Sequence, residues 1–84
     1  MSSHERKSLL AAFGAALKAE RKRKGLSQEK LGFECDLDRT YVSGLERGVR
    51  NPTLLVVERL AEGLKVQPSE LLAAAEAKLK KQRL

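Results

Sequence analysis

Apolar residues in this chain recur three and four positions apart almost throughout, and no stretch alternates apolar with polar residues over a strand's length. Leu10, Phe13 and Leu17 form one stripe, Leu31 and Cys35 a second, and Val42 and Leu45 a third. Leu54, Val57, Leu60, Ala61 and Leu64 form a fourth, and Leu71 and Leu72 open a fifth. The residues between the stripes predict where each helix starts and stops. The first helix spans about Ser8 to Lys24 and stops at Gly25, behind the cations Arg21-Lys22-Arg23-Lys24, which suit the negative end of a helix dipole. Ser27 is the N-cap of a second helix that ends near Cys35, and Asp36 falls in a turn where Asp tolerates a left-handed backbone. Asp38 caps a third, extending to about Arg47 and stopping at Gly48, and Pro52 keeps the following loop from continuing it. Thr53 caps the fourth, and Pro68 sits in the first turn of the fifth, where a missing N–H costs little. The pattern predicts an all-α, compact five-helix fold. Residues 1–7 are expected to be a flexible N-terminus, 8–72 the folded domain and 73–84 a helical basic extension.

The two short helices Ser27–Cys35 and Asp38–Arg47, joined by a tight turn, have the geometry of a helix-turn-helix. Gly32 is small where the two must approach closely. Val42 and Leu45 anchor the third helix from beneath, which turns Arg39, Thr40 and Ser43 outward near its N-terminal end. In this motif that end meets base edges in the major groove. The chemistry suits the task. An arginine can pair in bidentate fashion with guanine, and Thr and Ser can donate or accept, the Thr methyl packing on a thymine methyl. Gly44 costs about 1 kcal/mol relative to Ala inside a helix; the reading that accounts for it is clearance for a duplex. Tyr41 either touches the DNA backbone or covers the helix, and its neighbours on the reading face favour contact.

Composition narrows the function further. In 84 residues there is room for one modest core and none for a catalytic cleft between lobes. With 17 Lys and Arg against 11 Asp and Glu the formal charge is +6, which suits a polyanionic partner. The single cysteine cannot form an internal disulfide, and Cys35 is expected to be a small buried packing residue. His4 is the one histidine, so neither a zinc site nor a Ser–His–Asp set is expected. No Gly-rich phosphate loop precedes a Lys-Ser/Thr pair. No apolar run approaches the ~20 residues that span a bilayer. The expectation is a cytoplasmic protein that is not an enzyme, with no cofactor, no metal, no small-molecule ligand and no membrane partner.

The stretch "GLSQEKLGFECDLDRTYVSGLERGVRNPTL" resembles the phage-repressor-like (Xre-type) helix-turn-helix regulators, and the likeness extends over roughly Phe13 to Leu72. Within that family, "LDRTYVSGLERGVRN" is most similar to the controller proteins of restriction–modification systems. The resemblance implies a lambda-repressor-like five-helix domain that binds a two-fold double-stranded DNA site as a homodimer. Carried over by position, Ser27 and Gln28 at the start of the second helix, with Arg50 and Asn51 in the loop after the third, would hold the DNA backbone. Arg39, Thr40 and Ser43 would read bases. Arg21 and Glu46 match the family's ion pair between the first and third helices. Two positions depart from the family: Gly32 stands where Ala is usual, lowering helix propensity, and Asp36 where Gly is usual.

Leu55 and Val56 lie off the main stripe of the fourth helix. With Val66, Leu71, Ala75 and Leu79 they are expected to form a symmetric dimer patch, chiefly on the strength of the resemblance. The function expected is a sequence-specific transcriptional regulator, autoregulatory, a restriction–modification controller, with RNA polymerase as a further partner where binding lies upstream of a promoter. The alternative from another class is a DNA-binding antitoxin, with the tail from Ala73 to Leu84 as the segment left over for a toxin.

Overall fold

The computed structural model describes residues 8–83; the expected N-terminal segment 1–7 lies outside them. Five helices follow one another: α1 Leu9–Arg23, α2 Gln28–Cys35, α3 Arg39–Glu46, α4 Leu54–Leu64 and α5 Pro68–Arg83. The starts of α1, α2 and α4 are set by hydroxyl caps. Ser8, Ser27 and Thr53 each accept the backbone N–H three residues on, at 3.0–3.1 Å. Asp38 occupies the equivalent position before α3, but its carboxylate accepts no capping hydrogen bond.

α1 packs against α3 and α5, α2 against α3 and α4, and α4 against α5. The core these contacts enclose is built from the stripes already named, with Leu17, Leu31, Val42, Leu45, Leu60 and Leu64 all but sealed from solvent. Each such side chain stabilises the fold by about 1.5–3 kcal/mol relative to exposure. Cys35 is part of this core, and burial pushes its thiol from 9.0 up to about 11, with Glu34 reinforcing the shift. A thiol so placed is a packing group rather than a nucleophile.

Two expectations need correction. Leu54 and Leu72 are not core residues: Leu54 is 83% and Leu72 39% exposed. Leu71 and Ala75 cannot form part of a dimer patch, because one chain alone already buries them, at 2% and 0% exposure, on the inner face of α5. Val56, Val66 and Leu79 also lean on the core and are partly covered, leaving Leu55 as the exposed member of the expected patch. The helical stretch expected from residue 73 is the second half of α5. α5 passes residues 72 and 73 without a break, and Ala75 and Leu79 beyond that point pack against the core. The physical reason is register: α5 turns its 71/75/79 face, at i, i+4 spacing, onto the core.

Candidate nucleic-acid interface

The turn between α2 and α3 closes by backbone alone. Asp36 takes a left-handed conformation, φ 58° and ψ 47°. That lets the Leu37 N–H donate to Gly32 O at 2.8 Å and the Asp36 N–H to Phe33 O at 3.4 Å. Gly32 has a steric reason here: a Cβ would stand 2.5 Å from the Leu37 carbonyl oxygen that the turn brings back over it. Both departures from the family pattern therefore bear on the same turn, Asp36 within it and Gly32 packed under it.

α3 is seated by Val42 and Leu45, both within 1% of complete burial. The helical period then points Thr40 and its neighbours away from the core. Arg39 and Thr40 are exposed and Ser43 is half-buried. Tyr41 is half-buried at the side and packs against the core edge. Arg47 joins this surface although the sequence reading treated it only as a helix end. It is exposed, one turn beyond Ser43, and its Nε donates to Ser43 Oγ at 3.4 Å. Its i, i+4 relation to Ser43 was the signal available in the sequence.

Beneath this face lies a buried charged network. Arg21 Nε donates to Glu46 Oε2 at 2.6 Å and Nη2 to Glu46 Oε1 at 3.0 Å, a bidentate pair. Arg21 Nη1 reaches the Leu26 carbonyl oxygen at 2.8 Å, and Gln28 Nε2 donates to Glu46 Oε1 at 3.0 Å. α1, α2 and α3 are thus joined at one carboxylate. Donating to the Glu46 carboxylate, whose charge lies close by, raises the Arg21 guanidinium above its ordinary range. Gln28, expected at a phosphate, gives one amide N–H to this network, and the NH2 group has a second N–H to donate. Ser27 spends its oxygen as the α2 cap, though a hydroxyl that accepts can still donate.

After α3, Gly48 turns the chain at φ 78° and Val49 N–H returns to Gly44 O at 3.0 Å. Arg50 and Asn51 emerge exposed. The clearance expected for DNA at Gly44 is taken up by the protein itself: Gly44 is buried, and what covers it is the side chain of Arg50. A second exposed feature lies apart from α3. Leu9, Leu10, Phe13, Pro52, Leu54 and Leu72 line an open apolar groove where α1, α4 and α5 meet. No helix among the described residues is long and apolar enough to cross a membrane.

A five-helix domain that presents arginine and hydroxyl side chains on the second helix of a tight helix-turn-helix is, by fold and by site, of the DNA-binding class. The chain belongs to the helix-turn-helix family, which it matches over residues 17–71. It is 57% identical over 47 residues to the control protein C.BamHI of Bacillus amyloliquefaciens, a match spanning 56% of this chain and 58% of that one. Among solved structures it is similar to the restriction–modification controller protein C.AhdI from Aeromonas hydrophila, with 50% identity, a TM-score of 0.73, and coverage of 74% of this chain and 94% of that one. It is also similar to the controller protein C.Esp1396I, solved as a tetramer in complex with its natural 35 base-pair operator. There the identity is 33%, the TM-score 0.80, and the coverage 89% of this chain and 99% of that one.

Proposed function

We propose that this chain is a sequence-specific transcriptional regulator that binds a pseudo-palindromic operator as a homodimer and controls a restriction–modification operon, its own gene included. The observation that carries this reading is the outward face of α3: Arg39, Thr40, Ser43 and Arg47 on a helix held rigidly from behind by the Arg21–Glu46–Gln28 network. Two such helices, one from each protomer, would enter successive major grooves about 34 Å apart. Arg39, Thr40 and Ser43 read bases, while Ser27, Gln28, Tyr41, Arg50 and Asn51 hold the backbone. The three relatives named above are control or controller proteins, and one of them is seen on its operator. The protein's own concentration is the signal, through coupled dimerisation and binding. Occupancy over a promoter represses it, and occupancy just upstream recruits RNA polymerase.

Selection of bound duplexes from a random pool tests the reading. Arg39→Ala is expected to lose discrimination at one base pair of the selected site, by about 1–3 kcal/mol, while Gln28→Ala weakens all sequences alike. Unchanged site preference in Arg39→Ala would show that the reading face is elsewhere.

The dimer contact we place on the exposed apolar residues Leu54, Leu55 and Leu72, continuous with the groove beside them. Contiguous exposed apolar surface of this kind marks a partner site. A Leu54→Lys, Leu55→Lys double variant is expected to sediment as a folded monomer and to bind the selected duplex at least ten-fold more weakly, since each half-site then binds alone. A variant that stays dimeric would remove this face from the interface.

A further inference from the structure

The covering of Gly44 by Arg50 gives this glycine a task beyond the DNA-reading role proposed above, on which the inference rests. Gly44 is one helical turn beyond Thr40 and next to Ser43, so it belongs to the same outward face of α3. A glycine at such a position leaves a bare strip of backbone facing solvent. Here the strip is buried, and the atoms over it belong to Arg50. A Cβ at Gly44 would lie 2.6 Å from Arg50 Cγ, 3.4 Å from its Nε and 3.6 Å from its Cδ. The closest atom is near the root of the arginine side chain, so moving the guanidinium tip cannot relieve the contact. The whole side chain would have to leave its rotamer. The turn at Gly48 and the hydrogen bond from Val49 to the Gly44 carbonyl hold the Arg50 backbone where this packing is possible.

We infer that Gly44 is a positioning residue for Arg50. Its missing side chain seats the arginine stem over Gly44 and so fixes the direction in which the guanidinium leaves α3. Without that seat a loop arginine with four rotatable bonds samples many directions, and ordering it on binding costs affinity. Packed over Gly44 it is ordered before DNA arrives. The glycine thus gives up helix propensity within α3 to preorganise a cation on its face. No direct contact between Gly44 and the duplex is involved, which separates this role from simple clearance.

Four homodimeric proteins test it on one probe, a duplex recovered by the wild-type chain from a random-sequence pool: wild type, Gly44→Ala, Arg50→Ala and the double variant. Ala is the better helix former, so Gly44→Ala is expected to melt no lower than wild type while binding the duplex about ten-fold more weakly, as Arg50→Ala does. In the Arg50→Ala background, adding Gly44→Ala is expected to change affinity less than two-fold, because the side chain it displaces is already gone. Equal binding by Gly44→Ala and wild type would overturn the inference and leave the DNA reading standing. So would an equal loss from Gly44→Ala with and without Arg50. If Gly44→Ala fails to fold, the double variant, which lacks the clash, still reports: a fold restored there supports the seat, and a fold still lost overturns it. Failure of the wild type to recover any duplex would overturn this inference together with the function on which it rests.

Discussion

Arg21→Ala is expected to destabilise the fold by about 3–5 kcal/mol, the range for breaking a buried ion pair by removing one partner. Arg21 and Glu46 are 7% and 9% exposed, and their side chains meet through two charge-assisted hydrogen bonds. Removing the guanidinium leaves the Glu46 carboxylate in the interior with the Gln28 amide still bonded to it. It also strips the Leu26 carbonyl oxygen of the bond from Nη1. For a domain of this size each lost kcal/mol lowers Tm by about 4–8 °C. Urea and thermal unfolding would check it, and a fall in Tm of only a degree or two would show that the pair is solvated. Replacing both partners by apolar residues is expected to recover most of the stability, since neither charge is then left buried alone. DNA binding should not recover with it, because α3 is then no longer tied to α1 through a directional contact. With the arginine raised above its ordinary value by its bond to Glu46, its share of the stability is complete below that value and fades only in strong alkali.

Gly14→Ala is expected to cost as much as core overpacking does at its upper end, about 3 kcal/mol. α1 crosses α3 at this glycine. A Cβ there would collide with the Leu45 carbonyl oxygen and stand 2.7 Å from the Glu46 oxygen and 2.9 Å from its carbonyl carbon. All of these are backbone atoms of α3, so no rotamer change can absorb the contact and the two helices must separate. Separation would also draw Arg21, on α1, away from Glu46, on α3. The variant should therefore lose DNA affinity in the temperature range where it remains folded, as well as melting early. Calorimetry beside a binding titration distinguishes this from a purely local strain. A wild-type melting curve for Gly14→Ala would show that the crossing has slack.

Much of the fold was legible before any coordinates. Caps and breakers at Ser27, Thr53, Gly48 and Pro68 act on the adjacent backbone, so helix limits follow from residues a few positions away. The left-handed turn at Asp36 was readable for the same reason. The reading face followed from period alone: once Val42 and Leu45 are known to be inside, Arg39, Thr40 and Ser43 must be outside. Where the period met a neighbour, the reading failed. Leu54 and Leu72 carry the right spacing for burial, yet no helix among the described residues closes over them. Leu71 and Ala75 were assigned to a second chain because nothing in the sequence states that α1 already lies over them.

The glycines divide the two sources of information most clearly. Local sequence sufficed to place Gly25 and Gly48, which end helices at positive φ. Gly14 and Gly44 have ordinary helical surroundings in the sequence and no turn to justify them. Their reason lies across space: the backbone of α3 against Gly14, and the stem of Arg50 against Gly44. The sequence by itself determined which segments are helical, how each helix is rotated and which side chains could read DNA, because those depend on contacts within a turn or two. Only the tertiary structure decided which apolar residues stay uncovered, where two backbones meet and which side chain lies over a bare helix, because those depend on how separate helices pack.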